Sequence, residues 1–216
     1  MKFLIKASYI ISEEGIVTFF WKVIKIIALN LFRIRRVIIY ELDLATSVKE
    51  ILPQVEVSFR LAEITDIESM DEENYNYNRK AKKYSAERFM QGDECILAVY
   101  NGRIVGYIWI MEGYMELSQY NYIKIPRNWA YVYSVFVIKE FRGKRIIHAM
   151  NGCIIQKLGR KNVKIIITTV AKDNKPAAKA KERIGFKRVS EIIIFKLLGF
   201  QYAYISKRNL NCLMRE

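Results

Sequence analysis

Histidine occurs once in the 216-residue chain, at His148, and cysteine three times, at Cys95, Cys153 and Cys212. The cysteines lie far apart, form no CxxC pair and have a single histidine to assist them, which excludes a zinc-ligand pattern. An odd number without framework spacing points to reduced, intracellular thiols rather than disulfides. Long apolar runs are missing too. In the N-terminal extension a charge interrupts every apolar stretch well short of the roughly 20 residues that a membrane span needs. The first such stretch is preceded by Glu13 and Glu14 and is followed by no small-residue cleavage site, so no signal peptide is read. Acids are scarce toward the C-terminus: residues 139–216 hold 19 basic and 5 acidic groups, against 10 and 15 in residues 41–138 and 7 and 2 in residues 1–40. A local net charge of +14 calls for an anionic partner, and charge alone does not choose among phosphate ligand, lipid and nucleic acid. The length allows one full core and an extension.

The most informative stretch is an apolar run, Tyr131 to Ile138, that breaks into Glu140-Phe141-Arg142-Gly143-Lys144-Arg145 and resumes with helical periodicity from Ile146 to Leu158. A strand that ends in a basic, glycine-containing turn and feeds a helix N-terminus makes an anion site. Unpaired backbone N–H groups and the positive end of the helix dipole converge there, and phosphate is the obvious guest. A second buried strand, Val163 to Val170, follows, then Ala171-Lys172-Asp173-Asn174-Lys175-Pro176, a short helix from Ala177 to Ile184, and Gly185-Phe186 opening another strand.

This order resembles the cofactor half of the GNAT superfamily of acyl-CoA-dependent N-acetyltransferases, over roughly residues 56 to 200. The superfamily loop reads Arg or Gln, two residues, Gly, one residue, then Gly or Ala. Arg142 matches, whereas Arg145 and Ile147 occupy the two later positions, and Lys181 stands where the family often places a tyrosine as thiolate acid. The resemblance implies an α/β (α+β) fold with a mixed, mostly antiparallel sheet flanked by helices. It implies transfer of an acyl group, acetyl in the usual case, from acetyl-CoA or another acyl-CoA to the primary amine of a small molecule or amino sugar, without a metal. The cofactor-binding residues it implies are Arg142, Gly143, Lys144, Arg145, Ile146 and Ile147 at the pyrophosphate, a backbone N–H of Phe136 or Val137 on the thioester carbonyl, and Asn174 facing the cofactor. Glu112 and Glu116 are candidate bases. Tyr133 is a candidate acid or acceptor-pocket residue on the same strand face as Tyr131. A non-catalytic GNAT-like module that binds lipid, nucleic acid or protein is the alternative, although nucleic acid is not the expected partner.

Three segments follow: an extension (residues 1–54), the acyltransferase domain (55–206) and a tail (207–216). In the extension, Ser12 is read as the cap of a helix with Glu13 and Glu14 in its first turn. Thr18, Lys22, Lys25, Arg33 and Arg36 form a narrow polar stripe opposite a wide apolar face that includes Val17, Phe20, Trp21 and Ile24. Residues 13–36 are thus expected to pack on the chain itself, in a homodimer, or on the inner face of a membrane from the cytoplasmic side. A short strand, Val37 to Leu42, comes next. The domain itself is expected to open with a strand from Val55 to Leu61 and a helix capped at Thr65 through Glu68. A loop at Asp71 to Asn78, a helix from Arg79 to Met90, and a hairpin of Cys95–Tyr100 and Arg103–Met111 around Asn101-Gly102 follow. Val189–Phe195 and Phe200–Ile205 are the last strands.

Overall fold

The computed structural model describes residues 13–21, 24, 32–46, 51–70, 79–118, 121–197 and 200–205. Its elements are β1 (Phe32–Asp43), β2 (Ser58–Leu61), α1 (Ile64–Ser69), α2 (Arg79–Met90), β3 (Glu94–Tyr100), β4 (Arg103–Glu112), β5 (Tyr114–Ser118), β6 (Asn121–Lys124), β7 (Trp129–Val137), a 3-10 turn (Lys139–Phe141), α3 (Ile146–Arg160), β8 (Ile165–Ala171), α4 (Lys175–Ile184), β9 (Lys187–Leu197) and β10 (Phe200–Ile205). The chain divides into a larger unit, Ile38–Ser190, and a smaller one formed by residues up to Val37 with Glu191–Ser206.

In the larger unit the strand order is β1-β8-β7-β4-β3-β2. Pairings β2–β3, β3–β4 and β4–β7 are antiparallel and β7–β8 is parallel, the mixed and mostly antiparallel sheet expected from the sequence. β4 is buried at every position but its two ends and β3 from Cys95 to Ala98, so they read as apolar runs and not as alternating strands. Their two faces still differ. Trp109 of β4 meets Phe89 of α2 edge-on at 4.9 Å, whereas Glu94 of β3 pairs with Lys157 of α3 and with Lys161, the residue that ends that helix. Asn101 and Gly102, both at positive φ, close the β3–β4 hairpin.

Several local expectations change. The strand before α1 starts at Ser58 rather than Val55, and α1 begins at Ile64 rather than after Thr65. Asp66, not Glu68, reaches back, taking the backbone N–H of Glu63 at 2.8 Å while holding Arg60 in a fork at 2.6 and 2.7 Å. β5 and β6 form an additional hairpin that the sequence reading did not separate. Ile38–Leu42 belongs to the larger unit, with Ile39 fully buried and Tyr40 bonded to Glu182. The loop expected over residues 71–78 lies outside the described residues.

In the smaller unit β9 and β10 pair antiparallel from Leu197 with Phe200 to Ile192 with Ile205. The N-terminal helix is interrupted at Gly15, whose φ of +85° is open to glycine without strain, and residues 16–21 are helical. Ile16, Val17, Phe20, Trp21 and Ile24 are exposed there. Arg33 and Arg36 fall on β1 and not on a helical stripe, because the β-branched and aromatic run from Phe32 to Tyr40 favours a strand. Ser12, Lys22 and Lys25 lie outside the described residues. Among those residues no helix is long and apolar enough to cross a membrane.

Candidate functional site

The site is created by a defect in strand pairing. β7 and β8 are in register only from Trp129 with Ile165 to Val132 with Thr168, although both strands run on. At the point of separation Ser134 has φ +48° and the β4–β7 register shifts, so β7 carries a bulge that turns its remaining residues. Beyond it, Ile138 donates to Val105 O at 3.0 Å, which makes Ile138–Val105 and Phe136–Tyr107 hydrogen-bonded pairs and Gly106–Val137 the non-bonded pair between them. The N–H of Phe136 therefore points at β4. That of Val137 points to the edge vacated by β8, where Arg142 Nε already caps the Val137 carbonyl at 3.0 Å. Only glycine fits opposite: a Cβ on Gly106 would sit 2.9 Å from Phe136 O.

A cavity of about 870 Å³ opens at this edge. Val137, Phe141, Arg142 and Gly143 line it from the turn, Arg145, Ile146, Ile147 and His148 from α3, and Pro176, Ala180 and Arg183 from α4, with Ile51 and Leu52 alongside. Among the described lining residues none is acidic. No side chain caps the N-terminus of α3, so the first-turn N–H groups have no helical partner, and with the dipole behind them they present a positive potential that favours an anion. Gly143, at φ +81°, supplies the left-handed turn, and Gln54 N ties the loop down by donating to Lys144 O at 3.0 Å. Arg145 itself adopts φ +61°, a conformation that costs a β-carbon-bearing residue about 1–2 kcal/mol. Burial and the cations Arg183, Arg145 and Lys181 push the His148 imidazole below its ordinary range.

The loop residues proposed from the sequence thus gather at one cavity, apart from Lys144, whose ammonium rests over the Phe141 ring at 4.5 Å. Phe136 contributes its ring to Tyr107 and Arg142 but not its N–H to the edge. Asn174 lies three residues past the end of β8 and is spent as the N-cap of α4, accepting from Ala177 N at 3.2 Å. Its exposed side chain is not among those lining the cavity. Arg183, Pro176 and Ala180 were missed. Their four-then-three spacing marks one helical face, a signal that was available.

The three acid–base candidates separate. Glu112 is held by Lys161 at 2.7 Å, at the C-terminal end of α3 and about 22 Å along the helix from the cavity. Glu116 and Tyr133 instead share a cluster around Arg88. The guanidinium lies 3.3 Å from Glu116, 4.1 Å from the centre of the Tyr84 ring and 4.5 Å from that of Tyr133. The Tyr133 hydroxyl donates to Asp93, whose carboxyl burial raises to about 6. Tyr84 donates to Glu116 at 2.6 Å. Tyr131 stacks on Tyr133 and bonds Thr169.

A bulged strand that parts from its parallel neighbour beside an uncapped helix N-terminus is thus the frame of the cavity. The acetyltransferase (GNAT) family model matches residues 61–186, more than half of the sequence, and the chain belongs to that family. Solved structures of similar fold include a GCN5-related N-acetyltransferase from Sphaerobacter thermophilus (TM-score 0.57, 15% identity, 84% of this chain and 56% of that one). An acetyltransferase of the GNAT family from Colwellia psychrerythraea gives a TM-score of 0.54 at 15% identity, covering 77% and 57%. A Drosophila protein gives 0.54 at 12% identity, covering 83% and 58%. The chain therefore spans less than two thirds of each of these structures. A comparison with curated proteins gives no match.

Two substitutions test the site's physics. Lys181 is fully buried, 3.4 Å from Asn151 Oδ1, and desolvation lowers its ammonium to about 8 from 10.5. The unfolded chain keeps that proton until pH 10.5, so Lys181 destabilises the fold below pH 8 and the penalty is relieved as pH rises from 8 to 10.5. Lys181→Met should raise stability at pH 7 by about 2 kcal/mol and remove that alkaline gain in denaturant titrations. Arg145→Gly should raise stability by about 1 kcal/mol through relief of the left-handed conformation. It should also weaken acyl-CoA binding if the side chain reaches a phosphate, whereas tighter binding would mark Arg145 as a tolerated replacement.

Proposed function

We propose that this chain is an N-acyltransferase that moves an acyl group, acetyl in the simplest case, from acyl-CoA to the primary amine of a small molecule or amino sugar. The observation that carries the reading is the cavity itself. An uncapped helix start, the Arg142 guanidinium and no acid among the described lining residues suit a diphosphate, and a free strand edge suits a chain that pairs with backbone. Bound there, acyl-CoA supplies an activated thioester. The N–H groups of Gly143 to Ile147 and the Arg142 guanidinium hold the diphosphate. The N–H of Val137, fixed by the bulge, lies on the edge where a thioester carbonyl would accept from it, and a preorganised dipole of this kind contributes a few kcal/mol to rate. Glu116, placed with Tyr133 around Arg88, is the carboxylate we assign to the acceptor amine, in preference to Glu112. Holding both partners in one geometry provides the remainder.

Acetyl-CoA should bind the full-length protein in calorimetry with an affinity that falls as salt rises, and Arg142→Glu should abolish binding. Glu116→Gln should lower kcat on an accepted amine by about 100-fold while leaving acetyl-CoA affinity intact. No binding of any acyl-CoA at low salt would sink the reading. Binding without turnover on any amine would favour the non-catalytic module.

We assign the exposed face of Ile16, Val17, Phe20, Trp21 and Ile24 to peripheral contact with an anionic bilayer at the cytoplasmic side. The wild type should sediment with phosphatidylglycerol vesicles and Phe20→Glu/Trp21→Glu should not. Dimerisation that the double variant abolishes, without vesicle binding, would assign the face to a second copy instead.

A further inference from the structure

One diphosphate leaves part of the cavity's charge unexplained. Its basic groups come from two helices, the Arg145 guanidinium and the His148 imidazole from the start of α3 and the Arg183 guanidinium from the last turn of α4, alongside Pro176 and Ala180. Arg145, Arg183 and the buried Lys181 all bear on the one imidazole, and Arg142 stands at the neighbouring turn. Residues 51 and 52 add only Ile and Leu. Glu182, next to Arg183 in sequence, is turned to the Tyr40 hydroxyl at 3.2 Å. Among the described residues neither Arg145 nor Arg183 forms an ion pair. Like charges gathered in a cavity repel one another until an anion enters.

We propose that Arg145, His148 and Arg183 form a second phosphate subsite, which takes a ribose 3′-phosphomonoester and makes the protein select CoA thioesters over their 3′-dephospho counterparts. The proposal rests on the acyl-CoA reading above. A phosphomonoester brings about −1.5 to −2 charges near neutral pH and three acceptor oxygens, enough to engage two guanidiniums and an imidazole at once. Such an anion favours the protonated imidazole, so binding draws a proton onto His148, and the preference weakens as rising pH deprotonates the imidazole in the complex.

Calorimetry with acetyl-CoA and acetyl-3′-dephospho-CoA, on the full-length wild type, Arg183→Gln and His148→Gln, tests it. The wild type should prefer acetyl-CoA by about tenfold or more. Both variants should bring the ratio toward one by weakening acetyl-CoA alone. Titration in buffers of different ionisation enthalpy should show proton uptake with acetyl-CoA, less with the dephospho ligand, and none in His148→Gln. Equal affinities in the wild type would overturn the subsite and leave the acyl-CoA reading standing. Binding of neither ligand would overturn both. Equal loss of both ligands in Arg183→Gln would put that residue on the diphosphate and overturn the subsite.

Discussion

The parting of β7 from β8 after Val132 is the constraint on which the site depends. A parallel pair that stayed in register to Val137 would consume that residue's N–H and C=O in the ladder and close the edge. The bulge at Ser134 prevents this by rotating the strand, and the turn completes it, since Arg142 Nε takes the carbonyl and leaves the donor. The close approach at Gly106 belongs to the same device. Val137 and Gly106 form a non-bonded pair, the narrow kind, and the bulged strand presses its Phe136 carbonyl into the space where a Cβ would stand. One strained backbone residue and one absent side chain therefore set the position of the donor that the proposed chemistry needs.

Electrostatics divides the two faces of the sheet. On the α2 face, acids and a cation are matched: Asp93 and Glu116 surround Arg88, and three aromatic rings cover the guanidinium. At the cavity the matching stops. Arg142, Arg145 and Arg183 face it without a described acid, and the α3 dipole adds to them. Self-repulsion of that kind is tolerated in a fold where binding an anion returns the free energy, since a ligand that binds only the native state stabilises it. Lys181 extends the pattern inward: a cation buried beside Asn151 and over the Phe186 ring, where no described acid pairs with it.

How much of this was legible in sequence follows from how local each determinant is. The turn between β7 and α3, helix α2 and the Asn101-Gly102 hairpin rest on residues within a few positions of one another, and periodicity or turn chemistry exposed them. Phe136 against Val137 could not be decided, because which N–H faces the edge depends on register with β4, a partner some thirty residues away in sequence. Glu112 and Glu116 look alike as acids near a strand end. Lys161 and Arg88 separate them, and neither partner is near in sequence. The β5–β6 hairpin lacks an Asn-Gly or Asp-Gly turn, so it merged into its surroundings.

Asn174 shows a different limit. A motif match supplied its role, but a side chain with one oxygen to offer serves the nearest unsatisfied donor first, and here that is Ala177 N at the start of α4. Capping α4 still bears on the cavity at one remove, because it fixes the helix whose Pro176, Ala180 and Arg183 form a wall of it. Loss of the cap would be felt as a loosened wall rather than as a lost ligand contact. The same distinction applies to Arg145, whose backbone strain and side-chain charge act on separate quantities, stability and binding, and so can be read separately.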